Sequence, residues 1–244
     1  VVAPVGLDHT DMLGDTLAEI ATEKAGIIKP DGYLISAAQD PEVATILLDT
    51  ARKQNAKYAF EGVEFGVVER DRAVGGQLLT LRGLAGEYPD IELPLHGEHQ
   101  GQNASLALAA VEAFFGGDRA LARDVVLAGF AQVRSPGRLE MIRSEPLVVL
   151  DAAHNPHGVR AASTAFKEAF ELSHVHAVVG ILGEKDALGI FEVLRKEYVD
   201  STDATFRLYL SASDSSRAIA PEELQEIALD AGFDEDIITV YDHL

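Results

Sequence analysis

The sequence predicts an α/β protein with parallel sheet in two regions, and three observations carry that prediction. Short β-rich apolar runs alternate with stretches whose apolar residues recur at helical spacing, at both ends of the chain. Polar turns follow two of those runs, Gly6 to Thr16 and Asp151 to His157; in open α/β sheets the carboxyl ends of strands bind ligands. Arg134-Ser-Pro-Gly-Arg138 breaks the helical pattern between two regions that each look able to fold, which sets the expected division at 1–134 and 135–244.

The elements follow in order. Val1-Val-Ala-Pro-Val5 reads as a strand. It stands at the very start of a chain that does not begin with Met, so a segment of a longer protein is expected. A helix follows from Leu17 to about Ile28. Asp15 or Thr16 is placed to cap it, and Glu19 is spaced to complete a capping box if Thr16 is the cap. Leu17, Ile20, Ala21, Lys24 and Ala25 share one face of that helix, so Lys24 is expected to look inward. Lys29-Pro-Asp-Gly32 is a turn, Tyr33–Ser36 a strand, and Pro41–Asn55 a helix. Between Lys57 and Leu95 three short, partly alternating runs (64–69, 77–81 and 91–95) separated by glycines predict an antiparallel meander. An alanine-rich helix is expected from Asn103 to Phe115, and another from about Ala120 to Gln132.

In the second region Pro146–Leu150 reads as a buried parallel strand. Asn155 and Pro156 have the character of a cap and first residue for a helix from about His157 to Glu171. Strands at 175–181, 206–210 and 237–241 alternate with helices near 188–196 and 221–231, the pattern of a doubly wound, Rossmann-like domain.

Composition narrows the function. A net charge of -20 argues against nucleic-acid partners and against anionic lipid. No apolar run is long enough to cross a membrane and no basic-then-apolar leader is visible, so a cytoplasmic location is expected. With no cysteine there are no disulfides, no thiolate nucleophile and no sulfur ligands, and any metal must take oxygen or imidazole donors. No Gly-Lys-Ser/Thr phosphate loop, His-Glu-x-x-His helix or Gly-x-Ser-x-Gly elbow occurs. His9, between Asp8 and Asp11, is a candidate ligand for a divalent ion. Spacing alone therefore supports an α/β protein with two polar turns aimed at a ligand.

The residues also carry a resemblance. Gly6-Leu-Asp-His-Thr-Asp-Met-Leu-Gly-Asp-Thr16, running on to Glu23-Lys-Ala-Gly-Ile-Ile-Lys-Pro30, resembles the central-domain signature of folylpolyglutamate synthase and dihydrofolate synthase, ATP-dependent amide ligases of the Mur ligase superfamily. Gly97-Glu-His-Gln with Asn103 resembles that family's second motif; Pro136-Gly-Arg-Leu-Glu140 with Asp151-Ala-Ala-His-Asn-Pro-His-Gly158 resembles the third; Gly183-Glu-Lys-Asp186 resembles a further one. One departure is Ala152, where the family often has Gly. The resemblance implies a partial Mur-type central ATP-binding domain over 1–134 and a Mur-type carboxyl-terminal domain over 135–244.

The resemblance also implies roles. His9 becomes a Mg²⁺ ligand, and Lys24 the lysine whose carbamylation supplies oxygen donors to the metal, which prefers them. Asn103 is assigned to the adenine, Arg138 to the ATP phosphates, Asp151 to the ribose, and His154 lies close to the phosphates. Lys24, Arg138 and His154 form the implied catalytic set, while Lys185 and Arg217 are further candidates for local positive charge. The implied substrates are ATP, L-glutamate and a folate or dihydropteroate, the cofactor is Mg²⁺, and the protein is expected to be monomeric. The implied reaction is acyl-phosphate formation followed by amide formation, performed by the intact protein and not by this segment alone. Two other readings stand beside it: a Mur-type ligase of cell-wall precursors, and a non-catalytic nucleotide-binding module.

Overall fold

The structure, a computed structural model, describes residues 1–7 and 13–242. It divides into two compact units, Val1–Arg134 and Ser135–Leu244. Both are mixed α/β.

Unit 1 begins with a parallel core. Strand β1 (Tyr33–Ser36) pairs in parallel with β2 (Lys57–Phe60), and helices α1 (Leu17–Ala25) and α2 (Pro41–Lys53) pack beside them. The expected strand at 1–5 is reduced to a single parallel bridge, Val2 to Ser36, in which Val2 donates to Ile35 and accepts from Ala37. Pro4, lacking an N–H, cannot extend the ladder. Ala21 and Ala25 of α1 join Val43, Leu47 and Ala51 of α2 in one buried cluster, and Ile20 of α1 is fully buried as well.

Thr16 caps α1 as its spacing predicts. Its hydroxyl accepts from the Glu19 amide at 3.2 Å, and the Glu19 carboxylate accepts from the Thr16 amide at 3.1 Å. Thr16→Ala should therefore cost about 1 kcal/mol and lower the melting temperature of unit 1 by about 4 °C. A thermal scan with no shift would show that the cap is redundant.

Lys24 does not look inward; it is exposed. Leu17, seven residues earlier and so nearly in line with it, is only half-buried. The buried stripe runs through Ile20, Ala21 and Ala25, which leaves positions 17 and 24 on its rim.

The meander forms as expected. Strands β3 (Gly66–Ala73), β4 (Gly76–Arg82) and β5 (Glu87–Leu93) pair antiparallel in chain order. Helix α3 (Glu98–Phe114) starts five residues before the expected point, with Gly97 at φ +97° as its cap, so Asn103 lies inside the helix and is not its cap. Helix α4 (Arg123–Ala131) packs against β5.

Unit 2 corrects one expectation. The run at Leu147–Leu150 is strand β7, but it is exposed to half-buried and pairs antiparallel with β6 (Glu140–Ser144), forming a two-stranded hairpin. The remaining strands behave as expected: β8 (His174–Val179), β9 (Thr205–Leu210) and β10 (Ile238–Val240) form a parallel sheet in the order β10-β9-β8. Helices α5 (Pro156–Ala169), α6 (Ala187–Leu194) and α7 (Pro221–Asp230) alternate with them. Val159, Phe191, Leu224, Phe206, Leu208 and Leu210 meet in one core. The alternation along β9 turns Phe206, Leu208 and Leu210 into that core and Thr205, Arg207 and Tyr209 away from it. Among the described residues no helix is long and apolar enough to cross a membrane.

Candidate functional site

The carboxyl end of β7 feeds a turn, Asp151 to Asn155, that ends in α5. Asn155 is the helix cap, its side-chain oxygen accepting from the Gly158 amide at 2.7 Å, and Pro156 occupies the first turn where no N–H is needed. This turn is tied to the Pro136–Glu140 loop by backbone. The Ala152 amide donates to the Gly137 carbonyl at 2.7 Å. The Leu139 amide donates to Asp151 Oδ2 at 2.9 Å, and the Ala153 amide to Asp151 Oδ1 at 2.7 Å. Asp151 thus closes its own turn with one oxygen and holds the neighbouring loop with the other. Each oxygen keeps a second lone pair, so a sugar hydroxyl can still be accepted.

These bonds bring the loop that carries Arg138 beside the turn that carries Asp151 and His154, and all three residues are exposed. His154 Nδ1 lies 3.0 Å from the Ala152 carbonyl; because a carbonyl only accepts, the proton sits on Nδ1, leaving Nε2 to face solvent or a ligand. Glu140, a possible ion-pair partner for Arg138, instead accepts the Gly137 amide at 2.8 Å.

A cavity of about 570 Å³ opens beside this loop pair, lined by Asp151, His154 and Lys185 together with apolar Val149, Phe166 and Val179. Tyr198 also lines it, from a single π-helical turn at Arg195–Val199. Burial pushes the Tyr198 hydroxyl above its ordinary pKa, a hydrogen bond with Ser163 works the other way, and the Glu197 and Asp151 charges add to the rise. At the end of β8, the Gly183–Asp186 turn carries the cap of α6: Asp186 accepts from the Gly189 amide at 2.9 Å. Arg217 pairs with Glu184 at 2.9 Å, both on the surface. Such exposed pairs contribute little stability, which fits a surface role for Arg217.

In unit 1 the candidates do not converge on described partners. His9 lies outside the described residues. Lys24 is exposed on the last turn of α1. Asn103 is exposed on α3, its amide donating to Gln100 Oε1 at 3.3 Å. A cavity of about 680 Å³ lies at the carboxyl ends of β1 and β2, lined by Glu61, Glu98, Arg70, Arg82 and the Asn103 neighbour Gln102. Its two glutamates oppose its two arginines, so it has no net attraction for a polyphosphate. Among the described residues no group of three or more His, Asp or Glu side chains could hold a metal ion. The described residues therefore do not by themselves build a Mg²⁺ site.

Sequence reasoning missed four contributors to the loop pair and its cavity. Leu139 adopts φ +45°, Glu140 caps Gly137, and Ser163 with Tyr198 closes the cavity. Only the Gly137-x-x-Glu140 spacing was visible as a local signal.

The chain is similar to known proteins in both sequence and fold. Residues 137–243 match the family described as Mur ligase, glutamate ligase domain. The chain is 45% identical over 240 residues to the dihydrofolate synthase/folylpolyglutamate synthase of Mycobacterium tuberculosis, covering 95% of this chain and 47% of that protein. It is 32% identical over 186 residues to the corresponding protein of Bacillus subtilis, covering 76% of this chain and 43% of that one. The M. tuberculosis folylpolyglutamate synthase complexed with ADP and AMPPCP superposes with a TM-score of 0.90 at 44% identity, over 99% of this chain and 54% of that one. E. coli FolC in complex with DHPP and ADP superposes with a TM-score of 0.78 at 26% identity, over 99% of this chain and 53% of that one. The fold is that of these solved structures, and the region matched by the family begins at the loop pair. Over nearly all of its length the chain is similar to dihydrofolate synthase/folylpolyglutamate synthases. It spans about half the length of the relatives it matches.

Proposed function

We propose that the protein carrying this chain is an ATP-dependent ligase that joins L-glutamate to the carboxylate of a folate or dihydropteroate, in the cytoplasm and as a monomer. The observation that carries the reading is the cross-linked loop pair on which Arg138, Asp151 and His154 are exposed. Unit 1 is taken as part of the central ATP-binding domain and unit 2 as the carboxyl-terminal domain.

The chemistry is the one the resemblance implies. A substrate carboxylate oxygen attacks the γ-phosphorus of ATP; the bond to the β-phosphate oxygen breaks, giving ADP and an acyl phosphate. The amine of glutamate then attacks the acyl carbon and loses a proton, and phosphate leaves with the electrons of its bond to carbon. Two anions must approach each other in the first step, so a fixed cation is needed. Arg138 is a planar, always-charged fork suited to phosphate oxygens. His154, with Nε2 outward, can donate to a phosphate when protonated. Asp151 accepts ribose hydroxyls with its remaining lone pairs. Asn103 offers an amide to the base. Mg²⁺ enters through the resemblance of His9 and of Lys24 as a carbamate; when bound it supplies further charge neutralisation.

The test is ADP release by the full-length protein with Mg²⁺, ATP and glutamate, with dihydropteroate or a tetrahydrofolate as acceptor in separate reactions. Turnover requiring both glutamate and a pterin supports the proposal and shows which acceptor is used. Turnover only with a muramyl-peptide precursor moves it to the cell-wall ligases. Nucleotide binding without turnover on any acceptor favours a non-catalytic module.

A further inference from the structure

We propose that Glu140 is a positioning residue for Arg138: its carboxylate fixes the loop that aims the guanidinium and is itself kept from neutralising it. The inference rests on the nucleotide role proposed for Arg138. Arg138 stands between two residues in left-handed backbone, Gly137 at φ +68° and Leu139 at φ +45°. Glycine adopts that conformation freely, but for leucine it is unfavourable and persists only where the surroundings enforce it. The surroundings here can be named. The Arg138 amide donates to the Ser135 carbonyl at 3.1 Å, closing a turn. The Leu139 amide is held by Asp151, and the Leu139 side chain is buried against the cavity of unit 2. On the other flank the Gly137 carbonyl is held by Ala152 and the Gly137 amide by Glu140 Oε2.

Glu140 is the one side chain in the loop itself that supplies such a bond. Its backbone is anchored as the first residue of β6, in register with Leu150. The carboxylate therefore reaches back from a fixed base to the residue before Arg138. The bond is charge-assisted, an ionised acceptor on a backbone donor, the stronger kind of hydrogen bond. It also settles a competition. A carboxylate two residues from an arginine is a ready ion-pair partner, and a paired guanidinium would have to be released before it could meet a phosphate. With Oε2 on the Gly137 amide, Glu140 serves the loop while Arg138 stays at the surface.

The experiment is a double-mutant cycle in the full-length protein, reading kcat and KM for ATP with the acceptor that supports turnover, alongside the melting temperature. Glu140→Ala should lower kcat/KM for ATP about tenfold with a melting temperature within about 2 °C of the parent, because the residue is exposed and only the loop's aim is lost. Glu140→Gln should stay within about threefold, since its amide oxygen accepts the same N–H. In an Arg138→Ala background Glu140→Ala should add nothing, as expected for residues acting as one unit. A Glu140→Ala enzyme at the parental rate, or a tenfold loss repeated on top of Arg138→Ala, would overturn the positioning role while leaving Arg138 in place. A silent Arg138→Ala would instead remove Arg138 from the site, and the positioning role with it.

Discussion

Arg138→Ala in the full-length protein should reduce ADP release about 10²–10³-fold, the loss typical of removing one preorganised charge from a developing anionic transition state. The guanidinium stands on a loop whose backbone is held on both sides, by Asp151 through Leu139 and by Ala152 through Gly137. Such a cation needs no reorganisation when negative charge accumulates between the attacking carboxylate and the γ-phosphate. Arg138→Lys should recover only part of the rate, because a point charge on a flexible stem cannot reproduce a planar fork. The split between kcat and KM carries information. A fall mainly in kcat places the contact in the transition state, whereas a rise in KM alone reduces Arg138 to uniform binding of ATP. A rate within threefold of the parent would take Arg138 out of the machinery.

Arg138 is singled out by the resemblance and the residues that hold its loop are not, and the difference comes down to what local pattern records. Turn chemistry was legible wherever one side chain serves its own neighbourhood. Thr16 with Glu19 and Asn155 with Pro156 form the caps their spacing predicts. The parallel strands of unit 2 were legible because Phe206, Leu208 and Leu210 alternate, and because helices intervene between consecutive strands. The direction of β7 was not, since four apolar residues read the same whether the partner runs parallel or antiparallel. Its partner β6 is exposed throughout and shows no apolar alternation to find. The start of α3 was hidden because Glu98, His99 and Gln100 are polar, though helical geometry begins with them. Lys24 was misplaced by treating a helical face as a sharp boundary when its rim is solvated. The link from Asp151 to Leu139 spans twelve residues and depends on the two loops being brought side by side, which no local spacing encodes.

The largest stability effect should come from a residue that nothing in the pattern of its helix marks out. Glu112 is fully buried in α3, with its Oε1 accepting the Tyr88 hydroxyl at 2.6 Å and its Oε2 accepting the Leu84 and Ala85 amides, the latter at 3.2 Å. The Tyr88 hydroxyl in turn accepts from the Leu121 amide at 2.7 Å. One carboxylate thus ties the β4–β5 turn, strand β5 and the approach to α4 to the last turn of α3. Glu112→Ala deprives two half-buried backbone donors and the buried Tyr88 hydroxyl of their acceptor and should destabilise unit 1 by about 3 kcal/mol. A denaturation midpoint shift equivalent to less than about 1 kcal/mol would show that water replaces the carboxylate. Gly83 belongs to the same arrangement: a Cβ there would sit 2.3 Å from Glu112 Oε2, so the turn has no room for a side chain. The pair also carries a pH signature. Burial, and then the hydrogen bond to Glu112, push the Tyr88 hydroxyl up to about 12. Below pH 10, the ordinary value, folded and unfolded chains both keep the proton and the contribution is complete. Between 10 and 12 the unfolded chain releases its proton first, so stability falls as pH rises. Tyr88→Phe should be less stable than the parent at pH 8, because Glu112 and Leu121 each lose a partner. Its deficit should shrink as urea midpoints are followed from pH 8 to 11. A deficit that stays constant across that range would mean that the Tyr88 proton is not linked to folding.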